Sequence, residues 1–312
     1  MEKVIRIGTR NSELALWQAQ LVQKSLRSLG YQGEIVEVSS TGDEILDIPL
    51  HQIGGMGLFT KTLDIAMLQG KIDIAVHSLK DVPTQLPDTI VQAAVLERAH
   101  VQDVLVYKDD LDFLEVTTGI VATGSLRRKA QWLNRYPTHT LTDLRGNVNT
   151  RLKKLKENNW NGAIFARAGL ERIHLLPPEH LVLDWMIPAP AQGAIMITAL
   201  DETKGNTAKS ILQACAKLNH RETEITVAAE RQFMRALEGG CTAPIGACAT
   251  ISRDKISFKG VLSALDGSSQ IEVQKQVPLQ NAFDLGTICA EEILKKGGTA
   301  LMKKIKEEMK LS

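Results

Sequence analysis

Strand and helix patterns alternate from the first residues of this 312-residue chain, and this alternation limits its fold more than any other feature. The stretch "VIRIG" is typical of a strand, residues 11–30 of an amphipathic helix, and "EIVEVSS" of a second strand. A helix over "TKTLDIAMLQG" and a strand over "IDIAVHS" complete a βαβαβ order, which predicts a mostly parallel sheet covered by helices. A second α/β unit that begins near residue 101 repeats this rhythm without repeating the sequence.

The last third of the chain has a different pattern. From about residue 218, a helix is followed by three segments typical of antiparallel strands, "ACATISRD", "ISFKGVLSAL" and "SQIEVQKQV", and then by two helices. We expect a small α+β domain here.

Two irregular stretches precede this domain. Residues 41–59, with glycines near their end, are either disordered or a functional lid, and the proline-rich residues 176–194 return the chain to the first unit.

The composition excludes several classes of function. A net charge of +1 gives no general attraction to nucleic acids or membranes, and 4% aromatic residues argue against base stacking. The first residues lack the pattern of a signal peptide, and no stretch approaches the roughly 20 apolar residues of a membrane span. Four cysteines without a CxxC pair and seven scattered histidines predict reduced thiols, a cytoplasmic protein and no metal site.

One basic segment stands out against this near-neutral charge. Between residues 124 and 156, nine basic residues accompany a single acid, a local net charge of +8. Thr123 and Ser125 lie where its first helix begins, and free N–H groups and the helix dipole favour an anion there. Arg127 and Arg128 place positive charges at the positive end of the helix dipole, which is unfavourable unless an anion neutralises them. We therefore interpret them as ligands of an anion. The part interpreted as a solvated face consists of Lys153, Lys154 and Lys156.

Two strand ends of the first unit carry polar side chains. Lys80 and Asp81 directly follow the strand within "AVHSLKDVP". Arg10 and Ser12 lie in "GTRNS", where the first strand ends and the first helix begins. Ligands of open α/β sheets bind outside the carboxyl ends of strands, so one crevice can receive all four. A carboxylate there can act as acid, base or cation stabiliser, although Asp is also common in plain turns. His77 lies within the apolar run and is expected to be a hydrogen-bonded core histidine.

One cysteine stands in an unusual place. In "RALEGGCTAPIGA", two glycines and a proline bracket Cys241, which predicts a loop, whereas cysteine usually prefers burial. Either it is an incidental loop residue, or a nearby helix and basic segment lower its pKa and make it a nucleophile. The other three cysteines lie in apolar runs and are expected in the core, at positions 215, 248 and 289.

Seven separated motifs make the sequence resemble the porphobilinogen deaminase (hydroxymethylbilane synthase) family over essentially the whole chain. They are "RIGTRNSELALWQA", "GLFTK", "DIAVHSLKDVP", "GSLRRKAQ", "LRGNVNTRL", "AQGA" and "LEGGCTAPIGA". The resemblance implies a cytoplasmic, monomeric enzyme of tetrapyrrole (heme) synthesis. It condenses four porphobilinogens head to tail, releases ammonia and frees hydroxymethylbilane. The resemblance also implies a dipyrromethane cofactor, made from substrate and joined to Cys241 by a thioether, and no metal, nucleic-acid or membrane partner.

The same resemblance implies three domains. Two of them are similar to the halves of type II periplasmic binding proteins, with a hinge and a cleft. They correspond to residues 1–98 with about 191–216, and to residues 99–190. A small α+β domain with a three-stranded antiparallel sheet, residues 217–312, carries the cofactor cysteine. Cys241 would then be a tether from which the growing chain hangs into the cleft.

Individual roles are implied as well. Asp81 would stabilise the cation left by loss of ammonia and help to move protons at the reacting carbon. The expected cofactor contacts besides Cys241 are Lys80, Ser12, Thr123, Ser125, Arg127, Arg128, Arg145 and Gly146. The expected substrate contacts are Arg10, Gln18, Phe59, Arg151 and Arg172. Arginines suit this chemistry, because every added porphobilinogen brings an acetate and a propionate that need cationic partners.

Three positions depart from the family pattern. Met56 stands where a lysine is usual, "ATGS" around Gly124 lacks one hydroxyl, and "PAPAQGA" stands in place of "PAVGQGA". The residues alone leave two other functions open. An anion-binding protein on the same two-domain scaffold would leave Cys241 unexplained. A nucleic-acid binder would use the basic segment, which only Trp132 and Tyr136 accompany with aromatic rings.

Overall fold

The computed structural model describes residues 4–38, 60–116, 118–238 and 243–311, with side chains up to residue 309. Met56, Phe59 and Cys241 therefore lie outside the described residues, as does the whole stretch 41–59. The described chain divides into two compact units. Unit 1 contains residues 4–38, 60–99 and 193–224, and unit 2 contains the other described residues, 100–192 and 225–311 with their gaps. The division into three domains stays a prediction.

The described residues form thirteen strands and nine α-helices. The strands are β1 (Ile5–Thr9), β2 (Gly33–Glu37), β3 (Ile74–Ser78), β4 (Ile90–Val95), β5 (Asp103–Tyr107), β6 (Ile120–Ala122), β7 (Thr140–Thr142), β8 (Gly162–Ala166), β9 (His180–Val182), β10 (Ile195–Leu200), β11 (Ile245–Ser252), β12 (Lys255–Ser263) and β13 (Gln270–Pro278). The helices are α1 (Glu13–Ser28), α2 (Lys61–Leu68), α3 (Leu126–Arg135), α4 (Val148–Glu157), α5 (Arg167–Arg172), α6 (Asn206–Ala216), α7 (Arg221–Ala236), α8 (Leu285–Ile293) and α9 (Thr299–Leu311).

Unit 1 is built on a five-stranded sheet with the order β2-β1-β3-β10-β4. β1 runs parallel to β2 and β3, as the βαβαβ pattern predicts, whereas β10 is antiparallel to β3 and β4. Apolar residues of α1 and α6, such as Val22 and Ile211, pack on one face of the sheet. Leu63 and Met67 of α2 pack on the other face. The sheet is therefore buried on both faces, and polar groups collect at its strand ends.

Unit 2 contains a second sheet with the same plan, in the order β7-β6-β8-β5-β9. β6 is parallel to β7 and β8, and β5 is antiparallel to β8 and β9. Alternate residues of β5 face opposite layers, as a strand requires. Val104 packs with Leu155 of α4, whereas Leu105 packs with Trp132 of α3.

A third, three-stranded antiparallel sheet completes unit 2, with the order β11-β12-β13. α7, α8 and α9 cover it, and Phe233 and Phe258 lie at the centre of its core with ring centroids 5.3 Å apart. The α+β pattern expected for the last third of the chain is confirmed. Cys215 and Cys289 are buried as expected, but Cys248 is only half-buried.

Candidate functional site

The adjacent parallel strands β1 and β3 place the sequence-predicted residues of unit 1 at one edge of the sheet. β1 ends at Thr9, and Arg10 follows it directly. Ser12 then begins α1, because its hydroxyl accepts a hydrogen bond from the N–H of Ala15. β3 ends at Ser78, and a 3₁₀ turn over Leu79–Asp81 carries Lys80 and Asp81.

A small recess lies at these strand ends. Its lining includes Arg10, Gln18, His77, Ser78 and Asp81. Gln18 is only 2% exposed, and its Nε2 donates to the Ser78 hydroxyl at 2.9 Å. This bond fixes the amide beside the carboxylate. The recess therefore combines a guanidinium group, a carboxylate and neutral hydrogen-bonding groups, which is a suitable set for a substrate that carries both an amine and carboxylates.

Not all predicted residues of this edge share the recess. Ser12 and Lys80 are half-buried and do not line it among the described residues. His77 is buried, and its Nε2 lies 3.2 Å from the hydroxyl of Thr198 on β10. Burial, with a smaller effect of Arg10, lowers the pKa of His77 to about 4. The core histidine expected from the sequence is confirmed, and it is neutral at physiological pH.

In unit 2, three neighbouring parallel strands deliver the basic residues to one edge of the second sheet. Arg145 and Gly146 follow β7, Thr123 and Ser125 follow β6, and α5 with Arg172 follows β8. The carboxyl ends of parallel strands share one edge, so the strand order brings these segments together. The Ser125 hydroxyl accepts from the N–H of Arg128 and begins α3.

Arg127 and Arg128 have an anion within the chain. They are 4% and 5% exposed, and both contact Asp103, a fully buried residue at the start of β5. Nη1 of Arg127 lies 2.8 Å from Asp103 Oδ2, and Nη2 of Arg128 lies 2.7 Å from Oδ1. Burial would raise the pKa of Asp103, but the two guanidinium groups together outweigh it and hold that pKa below its usual range. These arginines therefore do not require an anion from outside the chain, contrary to the sequence-based expectation.

The remaining guanidinium nitrogens distinguish the two arginines. Arg128 also donates from Nε to Asp103 at 3.1 Å and from Nη1 to the carbonyl of Ile164 at 2.8 Å, so each of its nitrogens has a partner. Arg127 donates from Nη1 to the carbonyl of Ile187 at 2.8 Å, whereas its buried Nε has no hydrogen-bond partner. The three side chains leave a buried net charge of +1 at the N-terminus of α3, where the helix dipole adds to it.

Three further arginines are partly buried at the same edge. Arg151 donates from Nε to the carbonyl of Gly146 at 2.7 Å, and Gly146 has a φ of 105°, a conformation that glycine adopts without strain. Burial lowers the pKa of Arg145, and it lowers the pKa of Arg172 to about 10. Of the lysines interpreted as a solvated face, Lys153 and Lys156 are exposed and Lys154 is half-buried.

The glycine in "ATGS" has a structural reason. A Cβ added to Gly124 would lie 2.6 Å from the carbonyl oxygen of Leu144, so a serine or threonine there would displace backbone. The missing hydroxyl is therefore linked to the close approach of the segments that follow β6 and β7.

Asp103 was not predicted as part of this site, although a lone acid in the apolar run "DVLVY" is a signal for a buried, paired carboxylate. Gln131 and Gln192, whose amides donate to Ile187 and to Asp103, were not predicted either. The contacts of these two glutamines depend on the order of the strands in the sheet, and nothing in the local sequence around either residue indicates them. Within the described residues, His, Cys, Asp and Glu form no group of three that could bind a metal ion, and no helix there is suited to cross a bilayer.

The family models and the curated relatives that match this chain agree on one family. The family model described as "Porphobilinogen deaminase, dipyromethane cofactor binding domain" matches residues 5–208, and that of the "Porphobilinogen deaminase, C-terminal domain" matches residues 224–295. The porphobilinogen deaminase of Trichlorobacter lovleyi is 40% identical over 309 residues, 97% of each chain. The chloroplastic porphobilinogen deaminase of Oryza sativa subsp. japonica is 42% identical and covers 95% of this chain and 84% of its own length. Among solved structures, the second substrate binding domain of a putative amino acid ABC transporter from Streptococcus pneumoniae has a TM-score of 0.43 at 10% identity, over 69% of this chain and 91% of that one.

Proposed function

Because the chain belongs to the porphobilinogen deaminase family, we propose that Asp81 is the catalytic carboxylate of its reaction. The activity is the head-to-tail condensation of four porphobilinogens onto a dipyrromethane primer, with release of ammonia and then of hydroxymethylbilane by hydrolysis, in tetrapyrrole biosynthesis. The observation that carries the role of Asp81 is the recess of unit 1. There the strand ends place Asp81 with Arg10 and Gln18.

The chemistry explains why a carboxylate is needed. Porphobilinogen loses ammonia by breaking a C–N bond, and the electron-poor azafulvene that remains is attacked by the free α-carbon of a pyrrole, which then loses its proton. Asp81 would stabilise the positive charge that develops in the substrate and accept the proton released after the C–C bond has formed. Arg10 would bind a substrate carboxylate, and Gln18 would orient the ring by hydrogen bonding.

The cofactor, when bound, supplies the first free α-carbon and stays on the protein when the product is released. The donor set at the edge of unit 2 fits such a group, because a polycarboxylate requires cationic and hydroxyl donors and this edge supplies both. The proposed contacts there are Thr123, Ser125, Arg127, Arg145, Gly146, Arg151 and Arg172. Ser12 and Lys80, at the edge of unit 1, remain proposed cofactor contacts on the evidence of the sequence alone. Arg128 has a partner for every nitrogen, so we assign it the positioning of Asp103 and Arg127. Phe59 remains a proposed substrate contact, and this proposal rests on the sequence alone.

Cys241 is the proposed attachment site. It follows α7, which ends at Ala236, in a stretch outside the described residues. Two of the other cysteines are poor nucleophiles, because burial raises the pKa of Cys215 to about 12 and that of Cys289 to about 11. A thioether also suits a permanent primer, since thiol–disulfide exchange does not cleave it.

Intact mass measurement of the denatured chain, with peptide mapping, tests this assignment. We expect an adduct of two linked pyrrole units on the peptide with Cys241, and none in a Cys241→Ser variant. An apo-protein should acquire the adduct from porphobilinogen or from hydroxymethylbilane. A chain that stays unmodified after both treatments would contradict the assignment, and so would an adduct on Cys248.

We also propose a monomeric enzyme of the cytoplasm that uses no metal and no nucleic-acid partner. These points are supported by the resemblance to the family. Size-exclusion chromatography with light scattering checks the monomer. Unchanged turnover after treatment with a strong chelator checks the absence of a metal requirement.

A further inference from the structure

One short segment of unit 2, residues 187–192, is held at its start by the arginine helix, and we call this segment the strap. Gln131 of α3 is 3% exposed, and its amide forms two hydrogen bonds with Ile187. Oε1 accepts from the Ile187 N–H at 2.8 Å, and Nε2 donates to the Ile187 carbonyl at 2.9 Å. Arg127 donates to the same carbonyl at 2.8 Å. The first residue of the strap is thus fixed to the first two turns of α3.

A buried carboxylate holds the other end of the strap. Glu230 of α7 is fully buried. Its Oε2 accepts from the N–H of Ala191 at 2.6 Å, and its Oε1 accepts from the N–H of Ala249 on β11 at 2.7 Å. One side chain therefore joins the strap, the third sheet and α7. Burying a carboxylate is costly unless hydrogen bonds compensate it, so its place between two separate segments needs a reason.

The strap returns to the arginines through its last residue. Gln192 donates from Nε2 to Asp103 Oδ1 at 2.9 Å and to the carbonyl of Val101 at 2.8 Å. Asp103 pairs with Arg127 and Arg128. A continuous series of hydrogen bonds therefore runs from α7 through the strap to both ends of the arginine cluster.

The strap lies directly against β11, and the backbone of both segments allows this close approach. A Cβ on Gly246 of β11 would lie 2.8 Å from the Ile187 carbonyl oxygen, so a larger residue would push the strap away. Pro188 accepts from the N–H of Ala247 at 2.9 Å. Ala191 has a φ of 62°, a left-handed conformation that is unfavourable for alanine, and it lies at the position where "PAVGQGA" has glycine. The strap thus keeps its path in spite of local strain.

We propose that the strap fixes the arginine end of α3 relative to the end of α7, the helix that leads to Cys241, with Glu230 and Gln131 as positioning residues. This role rests on the proposed function, since it concerns the spacing between the tether and the residues that bind the carboxylates of the chain. If that spacing varied, the arginines would engage covalent chains of different length without preference. A rigid strap instead sets which ring of the bound chain meets Arg127.

The test compares Glu230→Gln with Asp73→Asn. Glutamine has a single accepting oxygen, so either the N–H of Ala191 or that of Ala249 loses its partner. Asp73 provides a matched control in unit 1, because its buried carboxylate also accepts from a backbone N–H, that of Arg6 at 2.8 Å. Gln131→Met serves as a second variant, since it breaks the strap at its other end and remains informative if Glu230→Gln does not fold. Each purified full-length protein is measured by hydrogen exchange and by the mass of its covalent intermediates.

We expect Glu230→Gln and Gln131→Met to raise amide exchange in the strap and the first turn of α3 by about tenfold, while Asp73→Asn leaves both unchanged. After brief exposure to porphobilinogen, the ratios of the covalent chain lengths should shift by about threefold or more in the two strap variants only. Unchanged exchange in α3 would overturn the strap, and so would a pattern of intermediates equal to that of Asp73→Asn. A wild-type protein that forms no covalent intermediate at all would instead overturn the proposed function and, with it, the positioning role.

Discussion

The Oδ1 atom of Asp103 lies 2.7 Å from Nη2 of Arg128, and both residues are buried in unit 2. Asp103 begins β5 and Arg128 lies in the first turn of α3, so the pair joins a strand to the helix that follows its neighbour β6. Arg127 completes the cluster and leaves a net charge of +1. The carboxylate therefore permits two cations to be buried together at the N-terminus of α3, and it leaves one positive charge uncompensated within the cluster.

Asp103→Asn should lower the free energy of unfolding by about 3–5 kcal/mol, because it leaves two buried guanidinium groups without their anion. Urea denaturation of the full chain measures this change. The control is Glu157→Gln, which breaks the exposed pair with Lys153 at 3.7 Å and should cost less than about 0.5 kcal/mol. A loss at Asp103 as small as that of the control would mean that water, and not the carboxylate, solvates these arginines.

His77 should make the stability depend on pH between about 6.5 and 4. Its folded-state pKa is lowered to about 4, mainly by burial, whereas the unfolded value is near 6.5. Above 6.5 the ring is neutral in both states and its contribution is complete. As the pH falls through this window the unfolded chain binds a proton that the folded chain does not, and about 3 kcal/mol is lost by linkage.

His77→Gln should remove this part of the pH dependence, which urea denaturation at pH 7 and pH 4.5 can measure. The control is His174→Asn, which should keep the wild-type slope because His174 is exposed. His174 has a φ of 55°, a conformation that Asn tolerates. Equal slopes in wild type and His77→Gln would show that His77 binds its proton over the same pH range in the folded and the unfolded protein.

Ala191→Gly should change the stability by less than about 1 kcal/mol. Glycine relieves about 1–2 kcal/mol of left-handed strain, but it loses a buried methyl group and gains backbone entropy in the unfolded chain. Ala130→Gly in α3 is the matched control, because Ala130 is equally buried and helical, and its loss should be about 2 kcal/mol. Equal losses at the two positions, measured by urea denaturation, would contradict strain at Ala191.

The strand ends that form the candidate site could be predicted from the sequence, because apolar runs locate β1, β3 and β6 and the polar residues follow each run directly. Arg10, Asp81 and Ser125 were found in this way. The partner of Arg127 could not be found, since Asp103 is distant in sequence and meets it only through the order β7-β6-β8-β5-β9. Likewise, the antiparallel direction of β10 could not be predicted, because it depends on the return of the chain from unit 2.

Asp81→Asn should fold and retain its cofactor, yet lose about 10²–10⁴ in kcat, the range expected for a carboxylate that handles protons and a developing cation. Asparagine keeps the size and a hydrogen-bonding oxygen but removes the charge and the basic site, so KM should change much less than kcat. Asp88→Asn is the matched control, an exposed acid in the loop after the same 3₁₀ turn, and should behave as wild type. The assay follows product formation from porphobilinogen, with the cofactor content of each variant confirmed by mass. If Asp81→Asn turned over within about threefold of Asp88→Asn, the difference in barrier would be below 1 kcal/mol, and the reaction would not depend on this carboxylate.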